Sequence, residues 1–313
     1  MKLGIIFAGQ GSQTVGMGKD FYENSQGFAQ VFDLLPAAQK EIAFAGPDEA
    51  LADTRNTQPI MVAFAAGVLS ELLPGLAALK IQPQMAAGLS LGEYSALHAA
   101  GVFDAETAIS LVTKRAAAMA EAADGVDCAM KAVLGLDRET LADCCEKASG
   151  CGTVQIANYN CPGQIVIAGE RKAVEAAASF ALEAGAKRCV SLAVSGPFHT
   201  RFMEPAGQIL ARIFADTSFG EMEFPVLFNA VGREKTQAET ISDLLVRQVS
   251  GSVYFEDTIK AMADAGVDTI IEVGPGKALS GFVRKTDRNM KVMNIETWED
   301  LQKVLSQLKG DAA

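Results

Sequence analysis

Histidine is scarce in this chain: 313 residues hold two, His98 and His199. Chemistry that uses an imidazole base near neutral pH has only those two positions to draw on. Long apolar runs are also missing. The longest, Ile60 to Leu69, is ten residues, against about 20 for a helix that crosses a bilayer, so no membrane span is expected. The N-terminus carries one lysine and a short apolar run that breaks at Gly9-Gln10-Gly11. That is too short and too soon polar for a secretory signal, and a cytoplasmic protein is expected. Positive charge is in deficit, with 27 Lys and Arg against 38 Asp and Glu, a net of −11. A phosphate backbone needs clustered positive charge, so nucleic acid is not an expected partner. The six cysteines fall between Cys128 and Cys189, with no C-x-x-C pair and no histidine among them. No metal site and no disulfide framework is expected, only reduced, partly buried thiols. There is no Walker A motif, and Gly9-Gln10-Gly11-Ser12-Gln13 fails as a dinucleotide fingerprint because its sixth position is Thr14.

What is present is ample apolar side chain: 49% hydrophobic residues and 21% charged, the balance of a folded globular protein. The length fits about two domains, or one large domain carrying an insertion. Leu3–Phe7 reads as a buried strand entering a glycine-rich loop, and Met85–Gly88 as a second strand followed by a helix from Ser90 to Ala100. The alanine-rich stretch Thr107–Ala123 predicts a long helix. Pro225–Ala230, Thr269–Val273 and Val292–Ile295 read as later strands separated by helical stretches. This alternation predicts an α/β domain with a mostly parallel sheet flanked by helices.

The middle of the chain differs. Lys131–Leu134 predicts a strand, and Asp137–Ala148 a helix with Asp137 as its N-cap. Strands Val154–Asn158 and Gln164–Ala168 follow, joined by a Tyr-Asn-Cys-Pro-Gly turn. A helix Arg171–Ala184 stops at Gly185, and Arg188–Leu192 closes the set. The order β-α-β-β-α-β is the ferredoxin-like pattern. Residues 126–194 are therefore expected to be a small inserted domain, with 1–125 and 195–313 forming the large catalytic domain.

Gly88-Leu89-Ser90-Leu91-Gly92 is a G-x-S-x-G between a predicted strand and helix. A sharp turn there strains the serine, exposes its hydroxyl and aims the Leu91 amide at the same point as an oxyanion donor. The bland alternative is a capping box, Ser90-x-x-Glu93, which explains neither glycine. A serine nucleophile needs a base. His98 lies about 12 Å along the same predicted helix, out of reach, which leaves His199 in the Ser195-to-Thr200 loop. Arg115 points along an apolar stripe of its helix and needs a carboxylate partner, either an internal acid or one on a substrate. The Gln10 amide, after the first strand, is placed to act as a second oxyanion donor.

The segments GQGSQTVGMG, GLSLGEYSAL, KRAAAMAEA, IANYNCPGQIVIAG, SGPFHT and EVGPGKALSG together resemble malonyl-CoA–acyl carrier protein transacylases and the related acyltransferase domains of polyketide synthases. The resemblance spans nearly the whole chain, with the motifs in order. It implies a large α/β domain with a ferredoxin-like insertion. It implies Ser90 as nucleophile, His199 as its base, and Gln10 and Leu91 as oxyanion amides. It further implies that Arg115 clamps the malonyl carboxylate and that the Gln248 backbone carbonyl orients the histidine. Asn158 and Asn160 are implied near the cleft. The family usually has histidine before the nucleophile, where this chain has Leu89, a departure that bears on acyl specificity. Phe198 matches malonyl-selective members, in which a bulky ring disfavours a methyl branch.

The implied reaction moves malonyl from malonyl-CoA to the phosphopantetheine thiol of acyl carrier protein through a malonyl-serine, by ping-pong kinetics and with no cofactor. It would feed fatty-acid or polyketide synthesis. A monomer is expected. The carrier is typically acidic, so docking calls for a basic patch, with Lys187, Arg188, Arg201, Arg284 and Lys285 as candidates. Two rivals stand beside this reading: a serine thioesterase or other hydrolase, and a non-catalytic carrier-binding relic. Hydrolases with this elbow usually place the histidine close to the C-terminus after an acid, whereas over a third of this chain follows His199.

Overall fold

The computed structural model describes residues 1–312. Its strands, in chain order, are β1 (Leu3–Phe7), β2 (Pro83–Gly88), β3 (Cys128–Leu134), β4 (Val154–Cys161), β5 (Gln164–Glu170), β6 (Arg188–Ser191), β7 (Val226–Phe228), β8 (Arg233–Glu234), β9 (Val253–Tyr254), β10 (Thr269–Val273) and β11 (Lys291–Ile295). The chain folds into two compact units. One comprises residues 1–116, 218–227 and Lys260 onward; the other comprises 117–217 and 228–259. The second unit is wider than the 126–194 segment marked out by the sequence pattern.

In the first unit β11, β10, β1, β2 and β7 lie side by side, every pair parallel. Parallel neighbours need crossover connections, which place helices on the faces of the sheet and bury its central strands. All five residues of β1 and of β10 are buried. The β1–β2 crossover holds the helix Thr54–Ala78, which no sequence pattern predicted. Asp53 caps it, accepting from the Arg55 amide at 2.8 Å. It ends in a left-handed Lys80 (φ 58°), where the Ile81 amide reaches back to the Leu76 carbonyl at 2.9 Å, closing a Schellman turn. By length and composition this helix is apolar enough to cross a membrane, yet about two-thirds of its most apolar window is buried inside the fold. Small and polar residues interrupt the apolar run without breaking the apolar character of the helix, so run length alone understated it. Phe64 on this helix packs edge-on against Phe21 and Phe28, whose rings stack at 5.0 Å.

The carboxyl ends of β1 and β2 are neighbours, with Phe7 in register with Gly88. The loops leaving them are locked together by backbone contact. The Leu89 amide donates to the Phe7 carbonyl at 3.0 Å. A Cβ on Gly88 would lie 1.9 Å from the Gly92 carbonyl carbon, and one on Gly92 would lie 2.4 Å from the Phe7 carbonyl oxygen. Those partners are backbone and cannot swing aside, so glycine is needed at both positions. This is the packing reason for the two glycines flanking Leu89-Ser90-Leu91.

The second unit holds a sheet in the order β6-β3-β5-β4-β9. The first four strands pair antiparallel, and β9 adds to β4 in parallel. Helices Arg138–Lys147 and Arg171–Glu183 contribute Leu141, Cys144, Val174 and Ala177 to a core shared with Val133, Ile165 and Ile167 of the sheet. Local rules place both helix ends. Asp137 caps the first, accepting from the Thr140 amide at 2.8 Å. The second stops at Gly185, with φ 101°. All six cysteines are free thiols, and burial pushes Cys145 up to about 12. Strands β7 and β9 differ from expectation: β7 is shorter than Pro225–Ala230, and β9 carries no alternation from which to predict it.

Two stability predictions follow from these contacts. Leu141→Ala removes a fully buried side chain and should cost about 2–5 kcal/mol, read as a lower denaturation midpoint. Gly92→Ala, placing a methyl against the Phe7 carbonyl, should cost about 1–3 kcal/mol or more. An unchanged midpoint for Gly92→Ala would mean that the elbow tolerates a side chain and is looser than described.

Candidate active site

Ser90 has φ 55°, one of three non-glycine residues with positive φ among the described residues; the others are Lys80 and His199. Such a conformation costs about 1–3 kcal/mol and persists only where the surroundings enforce it. The Gly88–Gly92–Phe7 contacts supply that enforcement. The helix that follows is Gly92–Ala99, and its N-cap is Leu91 with no side-chain cap. The helix boundary thus falls one residue beyond Ser90. Leu89 is half-buried, and its carbonyl accepts from the Gly92 amide at 3.0 Å.

The β1 loop lies against the elbow, because a Cβ on Gly9 would come within 2.6 Å of the Leu89 carbonyl oxygen. Gln10 follows Gly9, and its side chain donates from Nε2 to Thr54 Oγ1 at 3.0 Å. Among the described residues, neither the Gln10 amide nor the Leu91 amide donates to another backbone group.

Arg115, on the helix Ala105–Ala123, is fully buried. Its Nη2 donates to Ser90 Oγ at 2.9 Å and its Nη1 to Gln58 Oε1 at 2.6 Å. Its Cζ lies 5.7 Å from the Tyr94 ring centroid. Burial pulls its pKa down, while Tyr94 and Glu93 favour the cation. Burial likewise pushes the Tyr94 phenol well above its ordinary range. Gln58 and Thr54 were not singled out from the sequence. Each is a polar residue at the start of an apolar helix, and a spacing of four was the one available signal.

The remaining predicted residues lie in the second unit. His199 has φ 61°, and its Nδ1 sits 2.8 Å from the Gln248 backbone carbonyl. A carbonyl only accepts, so Nδ1 carries the hydrogen and Nε2 is left with a lone pair. Gln248 is in the last turn of helix Ile241–Ser250, whose final carbonyls have no partner within the helix. The bond satisfies one of them. Thr200 Oγ1 donates to the Pro197 carbonyl at 2.5 Å, and the Arg201 amide to Gln155 Oε1 at 2.8 Å, which pins the loop. Phe198 is buried, and its ring packs so closely that a Cβ on Gly196 would lie 2.8 Å from it. Asn158 and Asn160 are buried on β4. Among the described residues the Asn160 Oδ1 has no hydrogen-bond donor, a deficit of about 1–3 kcal/mol that a ligand donor would relieve.

His98 is occupied elsewhere. Its Nδ1 lies 2.9 Å from the Phe103 carbonyl, and burial lowers its pKa. Lys187, Arg188, Arg201, Arg284 and Lys285 are all exposed, the first three in the second unit and the last two in the first. Among the described residues no group of three or more His, Cys, Asp or Glu side chains could hold a metal ion.

Known proteins resemble this chain over nearly its whole length. The acyl transferase domain family matches residues 5–304. A malonyl CoA-acyl carrier protein transacylase of Bacillus subtilis (strain 168) is 39% identical, covering 99% of this chain and 98% of its own. The crystal structure of the transacylase of that name from Clostridium perfringens superposes with TM-score 0.91 at 40% identity, covering 99% of this chain and 98% of its own. A malonyl-transacylase in complex with its type II PKS acyl-carrier protein superposes with TM-score 0.92 at 35% identity, covering 98% of this chain and 100% of its own. The chain belongs to the acyl transferase family, the one that includes malonyl-CoA–acyl carrier protein transacylases, and is an acyltransferase.

Proposed function

We propose that this acyltransferase moves malonyl from malonyl-CoA to the phosphopantetheine thiol of acyl carrier protein, with a malonyl-Ser90 ester between the two half-reactions. The observation that carries the reading is the buried Arg115 guanidinium with one nitrogen 2.9 Å from Ser90 Oγ. A cation held that close to a nucleophile, in a dry setting, favours an acyl group that brings its own carboxylate.

His199 Nε2 takes the Ser90 proton as Oγ attacks the thioester carbonyl. The Gln10 and Leu91 amides hold the oxyanion of the tetrahedral intermediate. Its collapse expels the CoA sulfur, which receives the proton from the imidazolium. In the second half, His199 takes the proton of the carrier thiol, the sulfur attacks the ester carbonyl, and Ser90 recovers its hydrogen. Exchange between a thioester and an ester needs a nucleophile, a base and oxyanion donors, so no cofactor or metal enters the scheme. Asn160 and Phe198 line the acyl group's approach, and Leu89 takes the place of a polar neighbour beside it.

Within this reading residues 126–194 form a ferredoxin-like module. The order β6-β3-β5-β4 with every pair antiparallel supports it. The enzyme works as a cytoplasmic monomer, without nucleic acid or membrane, and meets an acidic carrier through exposed lysines and arginines. The pairing of a relative with its acyl-carrier protein supports the choice of acceptor.

Incubation with malonyl-CoA should give an adduct of one malonyl group per chain by intact-protein mass spectrometry. The adduct should be absent in Ser90→Ala and discharged by holo acyl carrier protein far faster than by water. Discharge by water at an equal rate would identify a hydrolase, and no adduct on the unaltered protein a relic. Arg115→Ala should lower kcat/KM for malonyl-CoA at least ~10–100-fold, the factor set by a charge-assisted pair of roughly 1.5–3 kcal/mol. Acetyl-CoA turnover should change little. Equal decline with both substrates would make Arg115 a purely structural cation.

A further inference from the structure

Thr54 and Gln58 are four residues apart at the start of helix Thr54–Ala78, and so stand one turn apart on the same face. Each is 1% exposed or less, although each is polar, and such groups stay buried only when bonded. Thr54 Oγ1 engages the Gln10 carboxamide at 3.0 Å. Gln58 Oε1 accepts from Arg115 Nη1 at 2.6 Å, a short charge-assisted bond. The Asp53 cap fixes where this first turn begins. The reaction scheme itself gives neither residue a task.

We infer that this turn is a positioning element for the transfer, in which Thr54 sets the oxyanion loop through Gln10 and Gln58 sets the carboxylate clamp through Arg115. The inference rests on the roles proposed above for Gln10 and Arg115. Gln58 takes one guanidinium nitrogen and so turns the other toward Ser90 Oγ, at 2.9 Å. It does this without charge. A glutamate at that position would place the cation equally well but would pair with it, competing with the carboxylate the substrate brings. An amide gives direction and leaves the charge for the ligand. Neither residue touches the reacting atoms, so both are positioning residues.

The test is the ratio of kcat/KM for malonyl-CoA to that for acetyl-CoA, with Arg115→Ala as the reference. Gln58→Met should lower the malonyl value about 10-fold, as loss of a bond to a charged group does, and the acetyl value much less. In an Arg115→Ala background Gln58→Met should leave the ratio where Arg115→Ala puts it. Should the apolar variant not fold, Gln58→Asn, shorter by one methylene, breaks the same bond and keeps a polar side chain. Thr54→Val should lower kcat for both substrates by the same factor, about 5–10-fold, a fraction of the 10²–10³ lost when an oxyanion donor is removed outright. Thr54→Ser should restore it. If Arg115→Ala collapses the ratio and Gln58→Met leaves it intact or lowers both substrates equally, the Gln58 role is overturned while the clamp stands. If Arg115→Ala itself leaves the ratio unchanged, the clamp reading falls and this role with it. If Gln10→Leu slows turnover and Thr54→Val does not, the Thr54 role is overturned alone.

Discussion

A guanidinium with no solvent around it sets the terms for everything near the elbow. Taking such an ion out of water costs several kcal/mol even after relaxation, and burial depresses the Arg115 pKa accordingly. The surroundings offset that cost with direction more than with charge: an amide oxygen at 2.6 Å, a serine hydroxyl at 2.9 Å and the face of the Tyr94 ring. The buried Glu93 favours the cation electrostatically. A site of this kind is asymmetric toward ligands. Under the function proposed above, an acyl group with a carboxylate completes it, while one without leaves the desolvated cation poorly served. Selectivity of that sort comes from an energy already stored in the free protein.

The two strained residues show a second way of storing energy. Ser90 and His199 both sit at positive φ, at 55° and 61°. Each is held by contacts that could not be met otherwise. For Ser90 these are backbone atoms of Gly88, Gly92 and Phe7, too close to admit any side chain. For His199 it is the Gln248 carbonyl, a helix-end acceptor that lacks a partner within the helix. The same bond that relieves the helix terminus fixes the imidazole tautomer, so one contact settles both a folding requirement and a chemical one.

Features decided within a few residues were legible in the sequence. β1 carries the expected bounds, Asp137 caps its helix and Gly185 ends the next. The elbow was legible because its two glycines have no explanation except close backbone approach. The helix Thr54–Ala78 was not. Buried over most of its surface, it shows no period of 3.6, and its length is hidden by interruptions at Ser70, Glu71 and the prolines Pro59 and Pro74. β9 is two residues long and exists because β4 offers it an edge. Gln58 was invisible for a related reason: its partner, Arg115, is 57 residues away. A buried amide acquires its meaning from the charge it faces, and no local pattern records that distance.

The direction of the hydrogen bond at Ser90 carries the last step. Arg115 Nη2 donates and Ser90 Oγ accepts. Accepting uses a lone pair, so this bond does not engage the serine hydrogen, which a nucleophile must give away. A neighbouring positive charge also makes the developing alkoxide less costly, because the ion it would become is attracted and not repelled. In the proposed reaction the same Nη2 is the donor that meets an arriving acyl carboxylate, while Gln58 keeps its bond to Nη1. On that proposal one fixed cation supports the hydroxyl before binding and the carboxylate after it. The exchange between the two states is then a change of hydrogen-bond partner at Nη2, with Nη1 still held by Gln58.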